Sequence, residues 1–288
     1  MTQSIYETTN SGDTVTKWLT THAKVAMLLL ALFGVQPARA ANDLLVAPTR
    51  LEFDSRKRSA EVILSNIGQK AATYRVSLVV RRMTAEGKLE DVETPNEAEQ
   101  RMLDMLSYAP RRIHLEPNQP QSIRVAVRKP ADLADGEYRV HMMFRAVPDA
   151  NPVVAAADAP TEGFAIQLIP IYGITIPVFV RQGALSAEAT MSNARIDVED
   201  GHEVIAVDLA RTGNRSTYGE IRVLKSGVEQ PVTRAKGIAV YTEVASRTVH
   251  LPLDAAHKES IRGPATIQYF ELDGDQARLV SEIKTNLN

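Results

Sequence analysis

An all-β protein built from two sandwiches is what this sequence predicts, and three observations carry the prediction. Apolar residues alternate with polar ones through most of the chain, turn residues separate the alternating runs, and 288 residues suit about two domains. Tyr74, Val76, Leu78 and Val80 alternate with Arg75, Ser77 and Arg81, with Val79 as the exception. Ile123, Val125 and Val127 alternate with Ser122, Arg124 and Arg128. Tyr138, Val140, Met142 and Phe144 alternate with Arg139, His141 and Arg145. This period puts one strand face in a core and the other in water, as in antiparallel sheet. Asn66-Ile67-Gly68, Pro117-Asn118, Asp135-Gly136, Asp200-Gly201 and Thr212-Gly213-Asn214 punctuate the runs as turns. Short strands so spaced suit a sandwich, and no βαβ alternation points to a nucleotide-binding parallel sheet.

Composition excludes several classes. Apolar content of 44% and charged content of 24% match an ordinary globular protein. Thirty-three Lys and Arg against 35 Asp and Glu leave a charge of −2, too balanced to grip nucleic acid electrostatically. Cysteine is absent, which removes disulfide scaffolds, zinc–cysteine sites, iron–sulfur clusters and thiol nucleophiles.

The first 40 residues have the pattern of a secretory signal peptide. Val25 to Val35 (VAMLLLALFGV) is an apolar run preceded by Lys17, His22 and Lys24 and followed by Ala38-Arg39-Ala40, an A-x-A cleavage pattern. The run is shorter than the roughly 20 residues a membrane-spanning helix needs. No later stretch reaches that length without charge or proline. The mature chain is therefore expected to be exported and soluble, without stable membrane insertion.

Along the mature chain, Pro95 to Tyr108 breaks the alternation. Proline first, acids early, and Met102, Leu103, Met105 and Leu106 late suit a short helix or an irregular insertion. Pro148 to Gly163 is rich in Ala, Pro and Asp and suits a loop. Phe164 to Val180 (FAIQLIPIYGITIPVFV) then runs almost without charge, its even positions on one strand face. Pro170 and Pro177 cannot donate ladder hydrogen bonds, which places this strand at an edge for at least part of its length. A long apolar edge invites aggregation unless something is meant to pair there. An ordinary core strand with prolines at its bends is the alternative. Gly183 marks a boundary, giving domains over 41–183 and 184–288. Beyond it, Val204, Val207 and Leu209 mark one strand and Ile221 and Val223 another. Ile238 to Tyr241, Val249 with Leu251 and Leu253, and Ile267 with Tyr269 and Leu272 mark three more.

The chemistry-bearing residues are sparse. None of the histidines forms H-E-x-x-H or H-x-H, and His141 and His250 fall on the polar sides of strands, where surface histidines are expected. No nucleophile elbow, Walker loop or dinucleotide fingerprint occurs. The acidic stretch Asp197 to Glu203 lacks calcium-loop spacing and fits a polar hairpin around Asp200-Gly201. Arg81-Arg82, Arg111-Arg112 and Arg56-Lys57-Arg58 are expected to be solvated. No catalytic residue, metal site or cofactor is expected. In Leu44 to Phe53 (LLVAPTRLEF), Leu51 and Phe53 turn to one face and leave Arg50 and Glu52 on the other.

These features resemble a known family. Thr49-Arg50 ahead of Phe53, Ser59-Ala60-Glu61-Val62 leading to Ser65-Asn66, and Leu115-Glu116-Pro117 come in its order. Glu137-Tyr138-Arg139 running to Phe144-Arg145-Ala146-Val147-Pro148 follows, and then the charge-poor strand of 164–180. The chain resembles the PapD-like periplasmic chaperones of the chaperone–usher pilus pathway, as a divergent branch marked by Tyr172-Gly173-Ile174 and Ile176-Pro177-Val178. The likeness spans 42–181 and is looser from 184 to 288, where Arg211 to Ser216 with Tyr218-Gly219 carries it.

The resemblance implies two immunoglobulin-like sandwiches in an L-shaped arrangement, a periplasmic location and no enzymatic activity. It implies fimbrial or pilin-like subunits as partners, held by lending them an edge strand and delivered to an outer-membrane usher, with no role for nucleic acid. Phe164, Ile166 and Leu168 would fill the subunit groove, with Ile174 and Ile176 nearer the core. An arginine on the first strand and a lysine late on the lending strand would hold the subunit's terminal carboxylate. Arg50 matches the arginine; Pro177 stands where the lysine would be, leaving Arg181 as the nearest cation. The subunit-binding residues implied are thus Arg50, Phe164, Ile166, Leu168, Tyr172 and Arg181. A secreted structural or adhesive sandwich protein is the alternative reading.

Overall fold

The structure, a computed structural model, describes residues 43–148, 171–228, 230–253, 261–274 and 276–288. The export segment of 1–40 and the groove-filling candidates Phe164, Ile166 and Leu168 lie outside these residues.

The first half contains β1 (Leu44–Ala47), β2 (Leu51–Phe53), β3 (Ser59–Asn66), β4 (Ala72–Val79), β5 (Arg81–Met83) and β6 (Leu89–Asp91). It continues with α1 (Glu97–Met105), β7 (Leu106–Ala109), β8 (Arg112–Leu115), β9 (Pro120–Val127), β10 (Gly136–Val147) and β11 (Gly173–Gln182). One sheet has the order β1-β3-β9-β7 and the other β2-β11-β10-β4-β8. Their alternating residues meet in one core, with Phe53, Val62, Leu64, Ile123, Val125, Val140, Met142, Phe144 and Val178 fully buried. Asn66 fixes the turn after β3: its side-chain amide donates to the carbonyls of Lys70 and Leu115, and its oxygen accepts from the Gly68 N–H. Such local bonds satisfy backbone groups that the ladder abandons at a turn.

The stretch after Pro95 forms the helix α1. Asn96 caps it and Glu99 reaches back to the Asn96 N–H, a reciprocal capping box that satisfies two orphan donors. Met102 and Met105 turn into the core.

His141 overturns an expectation. It is buried, and burial together with the charges of Arg139 and Arg81 lowers its pKa to about 3. The outer face of β10 is covered there: Arg139 beside it donates to the Arg81 carbonyl of the β5–β6 hairpin and pairs with Glu243. Alternation told which face was away from the core, but that face does not meet water.

The second half contains β12 (Ala187–Glu199), β13 (His202–Gly213), β14 (Thr217–Lys225), β15 (Thr233–Val240), β16 (Ser246–Pro252), β17 (Gly263–Asp273) and β18 (Gln276–Leu287). Sheets β12-β13-β16 and β15-β14-β17-β18 enclose a second core around Ile205, Val207, Leu209, Ile221, Val223, Leu251, Ile267 and Tyr269. Asp200 and Gly201, both at positive φ (49° and 77°), turn β12 into β13 as the expected hairpin. Burial pushes the Tyr269 hydroxyl up to about 12, and it donates to the Ile238 carbonyl at 3.1 Å. Gly219 admits the close pass of β17, because a Cβ there would lie 2.2 Å from the Phe270 carbonyl oxygen. The two cores divide after β11, where Gly183 takes φ +74°. No helix among the described residues is long and apolar enough to cross a membrane.

Candidate functional site

The link Pro48-Thr49-Arg50 carries the chain from β1 in one sheet to β2 in the other. Leu51 and Phe53 sink into the core, so Arg50 and Glu52 face outward as the alternation requires. β2 lies parallel to β11 with Leu51 opposite Val178, Glu52 opposite Phe179 and Phe53 opposite Val180. Phe179 therefore shares the outer face with Arg50 and Glu52. The Arg50 guanidinium lies 4.1 Å from the Phe179 ring centre and 4.6 Å from that of Tyr218, which β14 supplies from the second sandwich. Cation–π attraction is stronger in such partly desolvated settings.

Glu52 accepts from two arginines, Nε of Arg50 and Nη1 of Arg181, the latter at 2.7 Å. Arg181 also donates through Nε to Glu137 at 3.0 Å, its cross-strand neighbour on β10. The Glu137 side chain is 1% exposed and accepts from both the backbone N–H and the hydroxyl of Ser216. Arg50 Nη1 is buried without a hydrogen-bond partner among the described residues. Arg50, Glu52, Arg181, Ser216 and Tyr218 line a cleft of about 920 Å³ between the sandwiches, together with Lys57, Arg215, Glu271 and Arg278. Arg215 and Arg278 both bond Glu271, at 2.7 and 2.8 Å. Burial acts to raise the Glu271 pKa, but those two arginines prevail and hold it below the usual carboxylate value.

A second contact joins the sandwiches. Glu243 accepts from the Met83 N–H at 2.8 Å and from Arg139, whose guanidinium covers the Tyr241 ring at 3.9 Å. Met83, Phe179, Ala239 and Tyr241 form a small apolar cluster. Arg82 is exposed, as expected, and pairs with Glu99, whereas Arg81 is half-buried and pairs with Asp91.

β11 has two characters along its length. Val178 to Val180 lie between β10 and β2, whereas Gly173 to Pro177 pair with β10 alone among the described residues. Pro177 stands in the half-paired part, where a residue without an N–H sacrifices no ladder bond on the open side. Tyr172, 47% exposed, precedes β11 and accepts from the Ala146 N–H.

Of the residues implied by the resemblance, Arg50 and Arg181 come together through Glu52. Tyr172 lies at the other end of β11, about 30 Å from Arg181 at the usual rise per strand residue. Position 177 offers no cation. Sequence reasoning put Glu52 on the right face without a role, and it missed Phe179 and Tyr218. Phe179 could have been found from its odd position in the run; Tyr218 comes from another domain and had no local signal.

Two β-sandwiches with an arginine-lined cleft between them define the class of this protein. No family model matches its sequence, and no curated protein does. The fold is similar to those of solved pilus chaperones. The YadV chaperone matches at 15% identity over 85% of this chain and 100% of that one, with a TM-score of 0.44. The CsuC–CsuE chaperone–tip adhesion subunit complex of Acinetobacter baumannii Csu pili matches at 11% identity, 85% and 99% coverage and a TM-score of 0.48. The CupB2 chaperone of Pseudomonas aeruginosa matches at 14%, 84% and 98%, with a TM-score of 0.41.

Proposed function

We propose that this protein is a non-enzymatic periplasmic chaperone that captures fimbrial or pilin-like subunits by lending them the open edge of β11, for delivery to an outer-membrane usher. One observation carries the reading: among the described residues, β11 is paired on both sides at 178–180 and on one side at 173–177. The alternating apolar residues Phe164, Ile166 and Leu168 precede that open edge in sequence. A subunit lacking one sandwich strand exposes a groove and unpaired backbone. An edge with apolar residues at every second position fills the groove and completes the ladder. Alternation fixes the register, because a one-residue slip would turn the apolar side chains out of the groove. Arg50 and Arg181 are proposed as the cations for the subunit's terminal carboxylate, and Tyr172 as a contact at the strand's start.

The reading is tested by Leu168→Asp, which places a charge in the groove. The variant is expected to remain folded and to lose co-purification with a pilin-type subunit; normal co-purification would exclude strand lending. Amide exchange separates the adhesive-protein alternative, since 173–177 should gain protection only when subunit is added.

A further inference from the structure

We infer that Glu52 is a built-in competitor for the cleft: its carboxylate occupies the Arg50–Arg181 pair and is displaced by the free α-carboxylate of a bound chain. The ligand in this inference rests on the strand-lending reading; the competitor role rests on the cleft's own geometry. Arg50 and Arg181 converge on one carboxylate through Arg50 Nε and Arg181 Nη1. The site thus already displays the ligand chemistry it holds, a carboxylate between two guanidiniums. The remaining Arg181 donor in use, Nε, is committed to Glu137.

Glu137 cannot give way easily. Its side chain is 1% exposed and is also held by the Ser216 N–H and hydroxyl. Glu52 can: its side chain is 40% exposed and stands on a three-residue strand. Arg50 is pinned between the Phe179 and Tyr218 rings, so the guanidinium stays while the carboxylate exchanges. An incoming carboxylate that takes Arg50 Nε also meets Arg181 Nη1, the same pair that Glu52 holds. Glu52 then sets how tightly a bound chain is held, keeping the grip weak enough for release.

The test compares wild type with Glu52→Gln against two synthetic peptides of alternating Val and Thr, one ending in a free carboxylate and one in a carboxamide. Glu52→Gln is expected to bind the acid peptide about tenfold tighter than wild type by titration calorimetry, and the amide peptide equally. Arg50→Ala should remove the difference between acid and amide. An acid peptide bound no tighter by Glu52→Gln, or an equal gain for the amide, would overturn the competitor role while leaving strand lending intact. Failure of both peptides to bind either protein would overturn strand lending and this inference with it. Glu52→Ser, which also removes the charge, carries the same expectations if Glu52→Gln does not fold.

Discussion

Glu52 in the first sandwich and Glu220 in the second each accept hydrogen bonds from two arginines, yet the Glu220 side chain is 1% exposed and that of Glu52 40%. Both motifs look alike in the sequence, an Arg and a Glu two residues apart: Arg50 with Glu52, Glu220 with Arg222. Their surroundings differ. β14 lies between β15 and β17, and Arg234 of β15 adds a two-point contact to Glu220 at 2.6 and 2.8 Å. Arg222 is further covered by Phe270, its guanidinium 4.1 Å from the ring centre. Burial acts to raise the Glu220 pKa, and the two arginines override it. β2 is a three-residue strand at a sheet end, and its carboxylate looks into a cleft. One charge cluster is sealed by its sheet, and the other is left where a ligand can reach it.

The largest effect expected from this contrast is on stability. Glu220→Gln leaves two arginines without their buried anion and should cost about 3 kcal/mol, at the lower end for a broken buried pair because both arginines reach solvent. Glu52→Gln should cost less than about 1 kcal/mol, as for other exposed pairs. Urea unfolding of the two variants measures both, and equal losses would erase the distinction between sealed and open clusters.

His141 extends the sealed side of the comparison to the first sandwich. Its pKa in the folded protein is about 3 against an ordinary 6.5. Below pH 6.5 the unfolded chain binds a proton that the folded protein refuses, so stability falls as pH drops from 6.5 towards 3. Each unit is worth about 1.4 kcal/mol, or about 2 kcal/mol at pH 5. His141→Gln should lose this part of the slope and flatten the urea midpoint between pH 6 and pH 4. An unchanged slope would mean that the outer face of β10 admits water.

The strands that carry a buried face were legible in the sequence because burial imposes the period: β4, β9 and β10 alternate apolar with polar residues where they enter a core. β12 and β18 were not, because most of their residues are exposed or half-buried and their pattern is left unconstrained. The site was legible in part for the same reason. Leu51 and Phe53 must sink, which sends Arg50 and Glu52 outward together. Whether that outward face would meet water, a hairpin or another sandwich depends on contacts far along the chain. Arg139 to Glu243 and Arg50 to Tyr218 are such contacts.

Salt separates the two clusters by the smallest margin and through a different physical term. The Debye length shrinks from over 10 Å at about 0.05 M salt to about 3 Å at 1 M, and ions screen only charges they can approach. Glu52 faces an open cleft, so its pairing with Arg50 and Arg181 should weaken as salt rises. Glu220 is shielded by its sheet and by both arginines. The stability difference between wild type and Glu52→Gln should therefore shrink by a few tenths of a kcal/mol between about 0.05 M and 1 M salt. The difference for Glu220→Gln should stay nearly constant over the same range. If the Glu52 difference were the one indifferent to salt, ions would not be reaching that carboxylate, and neither would the terminal carboxylate of a subunit.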